Sequence, residues 1–321
     1  MLPRSMSTVI IDLFKMARPS HYIKNIFVMP GIVFAFLLVE DRYRKDLSIT
    51  DIILGIISIS IASSANYVLN EFLDRTSDSF HKIKKARPAA SGRVTFSQST
   101  LFYISLSLLS LFIAYKFGPY FTSVIFVFLI SGALYNIKPF RLKDVYLVDV
   151  IAESFNNVIR LMAGWFLLIE RYYPPLSLVV TYWFIGAFLM SAKRISEIQS
   201  FSSRSIAILY RNSFNSYTVE KLRSITFLYA GLSLSSLTVF SIKWEPQSII
   251  LIPLSALIFT YYFHMSNGIN SPASRPEVLW RDWKLNLMLI LFILGTLLVL
   301  TANLTVLSDF VSSGLIIVKW N

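Results

Sequence analysis

Asn66, Asn70, Asp74 and Asp78 recur every four residues. On a continuous helix that spacing puts two neutral amides and two carboxylates on one face. Oxygen ligands of this kind suit Mg²⁺, which takes one or two carboxylates and fills its shell with water and substrate phosphate. Glu71 adds a third carboxylate beside Asn70. A basic stretch follows, His81-Lys82-Ile83-Lys84-Lys85-Ala86-Arg87. Carboxylates followed by cations suit a metal-bridged polyphosphate: the metal takes some phosphate oxygens, and Lys and Arg take the others. The plainer alternative is a solvated charged loop.

Three further sets share this character. Asp149, Glu153, Asn156, Asn157, Arg160 and Gly164 fall on one helical face. At about 1.5 Å per residue, Arg160 lies roughly 16 Å along the helix from Asp149. Such a stripe fits a cavity, and it also fits an ion-pair network that only holds helices together. Lys193 and Glu197 form an i,i+4 pair, with Arg194 adjacent. Arg18, Tyr22 and Asn25 face one way in the run from Arg18 through Lys24 to Asn25, and Pro19 suits a first helical turn. Taken alone, the last two sets also read as membrane-interface anchors. Arg275, Glu277, Arg281 and Asp282 read as a surface ion-pair turn.

The elements that must position these residues are membrane spans. Of 321 residues, 55% are hydrophobic and only 15% charged, against about 25% charged in soluble chains. Runs of about 20 apolar residues predict nine transmembrane helices, at 19–39, 51–70, 99–117, 119–135, 146–169, 175–192, 223–242, 247–265 and 285–305. The fold class is therefore all-α, a single polytopic membrane domain over 1–321. Residues 1–18 form an interfacial segment, in which Ile10, Leu13, Phe14 and Ala17 take helical spacing. The start has no signal-peptide pattern.

Lysine and arginine fix the expected orientation. The N-terminus and even-numbered loops hold 22 of the 30, the opposite side holds 7, and Arg160 lies within a span. The positive-inside rule puts the N-terminus in the cytoplasm and the C-terminus outside. The net charge of +12 thus reads as topology, with no nucleic-acid partner implied. Absence of cysteine excludes disulfides and thiolate chemistry. Three histidines disfavour a His-rich metal site.

The run Asn70-Glu71-Phe72-Leu73-Asp74-Arg75-Thr76-Ser77-Asp78 resembles the NDxxDxxxD motif of the UbiA superfamily of intramembrane prenyltransferases, with Glu71 in place of Asp. Arg87-Pro88 and Ser91-Gly92 resemble the RP..SG that follows it there. In that family a second motif, DxxxD, falls between spans six and seven. Here the chain reads Ala192-Lys193-Arg194-Ile195-Ser196-Glu197. That run resembles the decaprenyl-phosphate phosphoribosyltransferase branch. So do Arg18 through Asn25, His81 through Arg87, and Leu142-Lys143 with Asp149, Arg160 and Ala163-Gly164.

The resemblance implies a UbiA-like bundle in a bacterial plasma membrane, with its site facing the cytoplasm. It also implies transfer of 5-phosphoribose from phosphoribosyl pyrophosphate (PRPP) to a polyprenyl phosphate. In that reading Asn70, Glu71, Asp74 and Asp78 hold Mg²⁺, and Asp149 and Glu153 face the reacting ribose. Arg18, Tyr22, Lys24, Asn25, Asn66, His81, Lys84, Lys85, Arg87, Asn157, Arg160, Lys193, Arg194 and Glu197 bind substrates. The alternatives are a prenyltransferase joining a prenyl diphosphate to a lipophilic acceptor, and a transporter. The bare last three spans count against a transporter, whose charges line a through-path.

Overall fold

A computed structural model of the chain describes residues 5–80, 83–268, 271, 279 and 281–302. His81, Arg275 and Glu277, together with the end of the chain, lie outside the described residues. No strand occurs among those described; one isolated bridge joins Arg44 and Ile169.

The helices are α1 (Met6–Ala17), α2 (Met29–Leu38), α3 (Ile49–Leu73), α4 (Arg75–Asp78), α5 (Phe96–Tyr115), α6 (Pro119–Asn136), α7 (Val148–Leu168), α8 (Leu176–Ser200), α9 (Arg204–Tyr210), α10 (Val219–Trp244), α11 (Ile252–Ser266) and α12 (Trp283–Thr301). Short 3₁₀ segments include Pro19–Val28, Lys84–Ala86, Leu142–Asp144 and Asn212–Asn215. They supply the turns that bring charged loops back over the helices.

Among the described residues, eight helical segments are long and apolar enough to cross a membrane. They match the expected spans except at 146–169. There α7 forms over 21 residues, but its charged stripe keeps it out of the apolar set. The first of the eight runs from Met6 to Leu38, so the expected interfacial segment and first span are nearly one stretch, broken at Arg18. That residue sits in the left-handed region at φ 51°. Pro19 then opens a 3₁₀ segment where a regular first span was expected.

The chain forms two compact units, Met1–Pro174 with Glu197–Leu222, and Pro175–Ser196 with Arg223–Asn321. In the first, Ile59, Ala62, Phe121, Ile125, Ile159, Trp165 and Leu167 build the apolar centre of α2, α3, α5, α6 and α7. The helices α2 and α7 cross backbone to backbone. A Cβ on Gly31 would overlap the Leu161 carbonyl, and one on Gly164 would overlap the Val28 carbonyl. Small residues at a crossing permit this approach, which is a main source of helix association in membranes. Ser48 and Thr95 cap α3 and α5 with full capping boxes.

In the second unit, Phe188 of α8 packs on Phe259 and Tyr262 of α11, with ring centroids 4.6 and 5.8 Å apart. Thr226 donates to Ser191 at 2.9 Å. Asp282 caps α12 by accepting from Leu285 N–H at 2.9 Å.

Candidate active site: an acidic segment met by cations

The α3 helix does not continue straight through Asp78, as the four-residue spacing predicts. Asp74 takes φ −92°, ψ 2°, the sparsely populated bridge region, and separates α3 from α4. The turn bond from Asp78 N–H to the Asp74 carbonyl persists at 2.7 Å. The acidic residues therefore stay on adjacent turns, with a bend between them.

Each carboxylate here meets a cation from another stretch of the chain. Glu71, 2% exposed, accepts from Arg18 at 2.8 Å, and Arg87 Nε stands 3.9 Å from the same oxygen. Asp78 is equally buried and accepts from Arg87 at 2.6 Å. Asp74 accepts from Arg141 at 3.1 Å and from the Lys143 ammonium. Lys143 also donates to Asn70 Oδ1 at 3.3 Å and Asn136 Oδ1 at 2.8 Å. Burial pushes the Lys143 ammonium down to about 8, against the pull of Asp74.

Lys84 extends the cationic side. It donates to Tyr210 and also sits over that ring, 4.6 Å from its centroid. Burial lowers its pKa to about 8, partly offset by Glu197 and Asp78 and reinforced by Arg87 and Arg211. Lys85, one residue on, is exposed.

The α7 stripe splits into two groups. At its start, fully buried Asp149 accepts from Tyr217 at 2.6 Å and Ser213 at 3.4 Å, with Arg211 at 3.6 Å. Tyr217 in turn accepts from Leu147 N–H at 3.0 Å. This ties the segment around α9 to the first turn of α7. One turn along, Glu153 accepts from Tyr135 at 3.0 Å, and Tyr135 accepts from Arg211 at 3.2 Å.

Deeper in the helix, Arg160 donates to Asn25 Oδ1 at 3.2 Å and to the Asn156 carbonyl at 3.2 Å. Asn25 donates to Ser60 at 2.7 Å. Tyr22 and Ser64 share a 2.9 Å hydrogen bond, and half-buried Lys24 lies between Tyr22 and Asn25 on the same 3₁₀ segment. Asn157 is half-buried on α7. Asn66 donates to the Phe128 carbonyl at 2.9 Å, and its amide fills the space a Cβ on Gly132 would need.

Lys193 and Arg194 belong to the second unit, half-buried and fully buried respectively. Glu197 belongs to the first.

Spacing does not reveal Arg141, Tyr135, Tyr210, Arg211 and Tyr217 as members of this cluster, and Lys143 enters only through the family resemblance. Lys143 stands 69 residues from Asp74, and no helical period links them. The available signal was charge: Arg141 and Lys143 lie in a loop on the positive side of the chain.

A divalent cation can be tested against these donors. Among the described residues, no three His, Cys, Asp or Glu side chains form a ready metal cage. Mg²⁺ rarely uses one. It binds through one or two carboxylates plus substrate phosphates and water. Asp74, Asp78 and the Asn70 carbonyl offer that kind of donor set. Among the described residues, Glu71 Oε1 is buried with no hydrogen-bond partner, an acceptor open to a ligand. The donor chemistry fits a substrate-bridged ion.

Comparisons with known proteins bear on the family and the fold. Over 305 residues the chain is 27% identical to a decaprenyl-phosphate phosphoribosyltransferase of Mycobacterium tuberculosis, covering 89% of this chain and 93% of that protein. A UbiA homolog from Archaeoglobus fulgidus, solved bound to GPP and Mg²⁺, superposes with a TM-score of 0.68 at 20% identity. That match covers 91% of this chain and all of the other. A structure of digeranylgeranylglyceryl phosphate synthase gives a TM-score of 0.62 at 14% identity, covering 90% and 98%. These structures establish the fold. The UbiA prenyltransferase family model matches residues 28–283. With its acidic segment, its apolar helices and this match, the chain belongs to the UbiA prenyltransferase family and is an integral membrane protein.

Proposed function

We propose that this protein transfers 5-phosphoribose from PRPP to a polyprenyl phosphate, with Mg²⁺, at the cytoplasmic face of a bacterial plasma membrane. The carrying observation is that each carboxylate of the acidic segment meets a cation: Glu71 with Arg18, Asp78 with Arg87, and Asp74 with both Arg141 and Lys143. A donor with two phosphate-bearing groups and an acceptor with a third need more cations than one prenyl diphosphate does. Lys193 and Arg194 stand where the family's second acidic motif falls, and direct cation contacts there suit phosphate without a second metal. The mycobacterial relative supports the same reading.

In this reading, Lys143, Arg141 and Arg87 exchange their carboxylate partners for phosphate oxygens of PRPP, and Lys84 turns from Tyr210 to the same anion. Freed by that exchange, Asp74 and Asp78, with Asn70 and Glu71, would hold Mg²⁺. When bound, the ion supplies Lewis-acid stabilisation of the leaving pyrophosphate. The ribose C1–O bond to pyrophosphate breaks, and a bond from C1 to a lipid-phosphate oxygen forms. Asp149 and Glu153 provide fixed negative charge toward the cation-like ribose carbon. The attacking phosphate is already ionised, so no general base is required. Lys193 and Arg194 position one of the remaining phosphates.

The test is incubation of purified protein with labelled PRPP, Mg²⁺ and polyprenyl phosphates of several chain lengths. Label should enter the lipid phase. No transfer at any length overturns the reading. Prenyl transfer from a prenyl diphosphate to an aromatic acid would replace it with the ordinary activity of the family.

A further inference from the structure

The helix α1 has two unlike faces. On one, buried Asp12 is held by Arg93 at 3.1 Å, and Met16 and Ala17 pack with Val68, Phe72, Ala89 and Val94. On the other, Ile10, Ile11 and Phe14 are 48%, 54% and 58% exposed. At Arg18 the chain turns into the 3₁₀ segment, and a groove of about 530 Å³ opens between the two pieces. Ile11, Phe14, Lys15, Arg18, Pro19 and Ser20 line it. Its walls are mostly apolar, and its two charged members are both cations.

We infer that this groove receives the acceptor lipid, with the first isoprene units against Ile11 and Phe14 and the phosphate between Lys15 and Arg18. The inference rests on the phosphoribosyl-transfer reading. A groove of this size takes a drug-sized portion of a ligand, enough for the phosphate-proximal end of a long chain. An open, mostly apolar groove with two cations in its lining matches a single apolar tail with an anionic head.

The counter-charges nearby are already engaged. Asp12, 3.9 Å from Lys15, is bound by Arg93. Glu71 holds Arg18 at 2.8 Å but has Arg87 at 3.9 Å from the same oxygen. When Arg18 turns to a phosphate, Glu71 would pass to the metal ion of the proposed reading, so neither buried charge is left without a partner, which would be costly. Glu71 adjoins Asn70 and lies one turn from Asp74. The groove thus delivers the lipid phosphate beside the acidic segment along a path this chain already builds.

The experiment is photo-crosslinking of the full-length protein in vesicles with a diazirine-bearing polyprenyl phosphate. Label is expected within residues 11–20, displaced by unlabelled polyprenyl phosphate and not by phosphatidylglycerol. Label elsewhere overturns the inference. Equal displacement by phosphatidylglycerol also overturns it, because the groove would then be a general anionic-lipid surface. Phe14→Ala with Lys15→Ala keeps Asp12, Met16 and Ala17 on the anchoring face of α1 but removes the ring contact of Phe14 with Phe102, at 6.1 Å between centroids, so folding is checked by a melting curve. The double variant should raise the acceptor KM about tenfold, the order expected for losing a buried aromatic contact, with the PRPP KM unchanged. An unchanged acceptor KM contradicts the assignment. Crosslinking reads binding without turnover, so groove labelling without ribosyl transfer sinks the proposed reaction, whereas transfer with label elsewhere sinks the groove alone.

Discussion

Lys143 donates its ammonium to Asp74 across 69 residues of chain, on the carboxylate oxygen that Arg141 also reaches at 3.1 Å. Two cations on one carboxylate mark Asp74 as the most strongly charge-matched residue of the acidic segment. In the proposed reading this pairing is the site's rest state, which a phosphate and a metal ion would separate.

Asp74→Asn is expected to lower transfer by about a hundredfold or more, the scale seen when a preorganised charge in a reacting site is removed. The amide keeps the volume but leaves Arg141 and buried Lys143 without their carboxylate, so the melting midpoint should fall too, and transfer is compared at a temperature where the variant stays folded. Radiolabel transfer to the lipid phase is the measurement. Full activity would remove Asp74 from the site.

Lys143→Gln removes one charge-assisted hydrogen bond, worth about 1.5–3 kcal/mol. The expected result is a fall of about ten- to a hundredfold in kcat/KM for PRPP, with the acceptor KM unchanged. Steady-state kinetics with each substrate varied in turn would reveal a purely structural role as equal effects on both.

The two buried lysines give a pH dependence with a definite sign. Lys84 and Lys143 are held down to about 8 by burial. Below that pH both are charged and able to bind phosphate, so the KM for PRPP should rise as pH goes from 7.5 to 9. Folding responds oppositely. A lysine whose folded pKa lies below its unfolded value adds stability as pH rises from about 8 toward its ordinary range. Titration of these two lysines therefore does not favour unfolding at pH 9, and a melting curve at each pH separates lost binding from lost fold. Lys84→Arg stays charged and should flatten part of the profile.

Gly164→Ala puts a methyl against the Val28 carbonyl at the crossing of α2 and α7. Overpacking of this kind costs about 1–3 kcal/mol. A lower midpoint in detergent-solubilised unfolding is expected, with activity reduced alongside it. An unshifted midpoint would show that the crossing relaxes.

Lys193→Ala should raise the KM for one anionic substrate and leave the other. Unchanged kinetics would exclude Lys193 from substrate binding.

Much of this protein could be read along the chain because lipid imposes strong local rules. Apolar runs located the helices, and the four-residue spacing from Asn66 to Asp78 located the acidic segment. Both signals are local in the chain, where period largely decides which residues share a face, although the bend at Asp74 splits the acidic segment between α3 and α4. The α7 stripe was legible for the same reason, yet its chemistry was not uniform. Asp149 holds the α9 segment through Tyr217 and Arg211, while Arg160 joins Asn25 and the Asn156 carbonyl.

Partnership was the part that sequence left open. Arg18 with Glu71, Arg141 and Lys143 with Asp74, and Tyr210 with Lys84 join residues separated by 53 to 126 positions. A sequence period carries no trace of such pairs, because ion pairing depends on where loops return in space. The bend at Asp74 and the reversal at Arg18 were equally invisible, since both are backbone conformations set by what the side chains meet. By itself the sequence determined an all-helical chain for the membrane and the chemical character of its polar face. Only the tertiary structure decided which cation guards which carboxylate, because charges in a buried site are stable only when folding brings a partner within hydrogen-bonding reach.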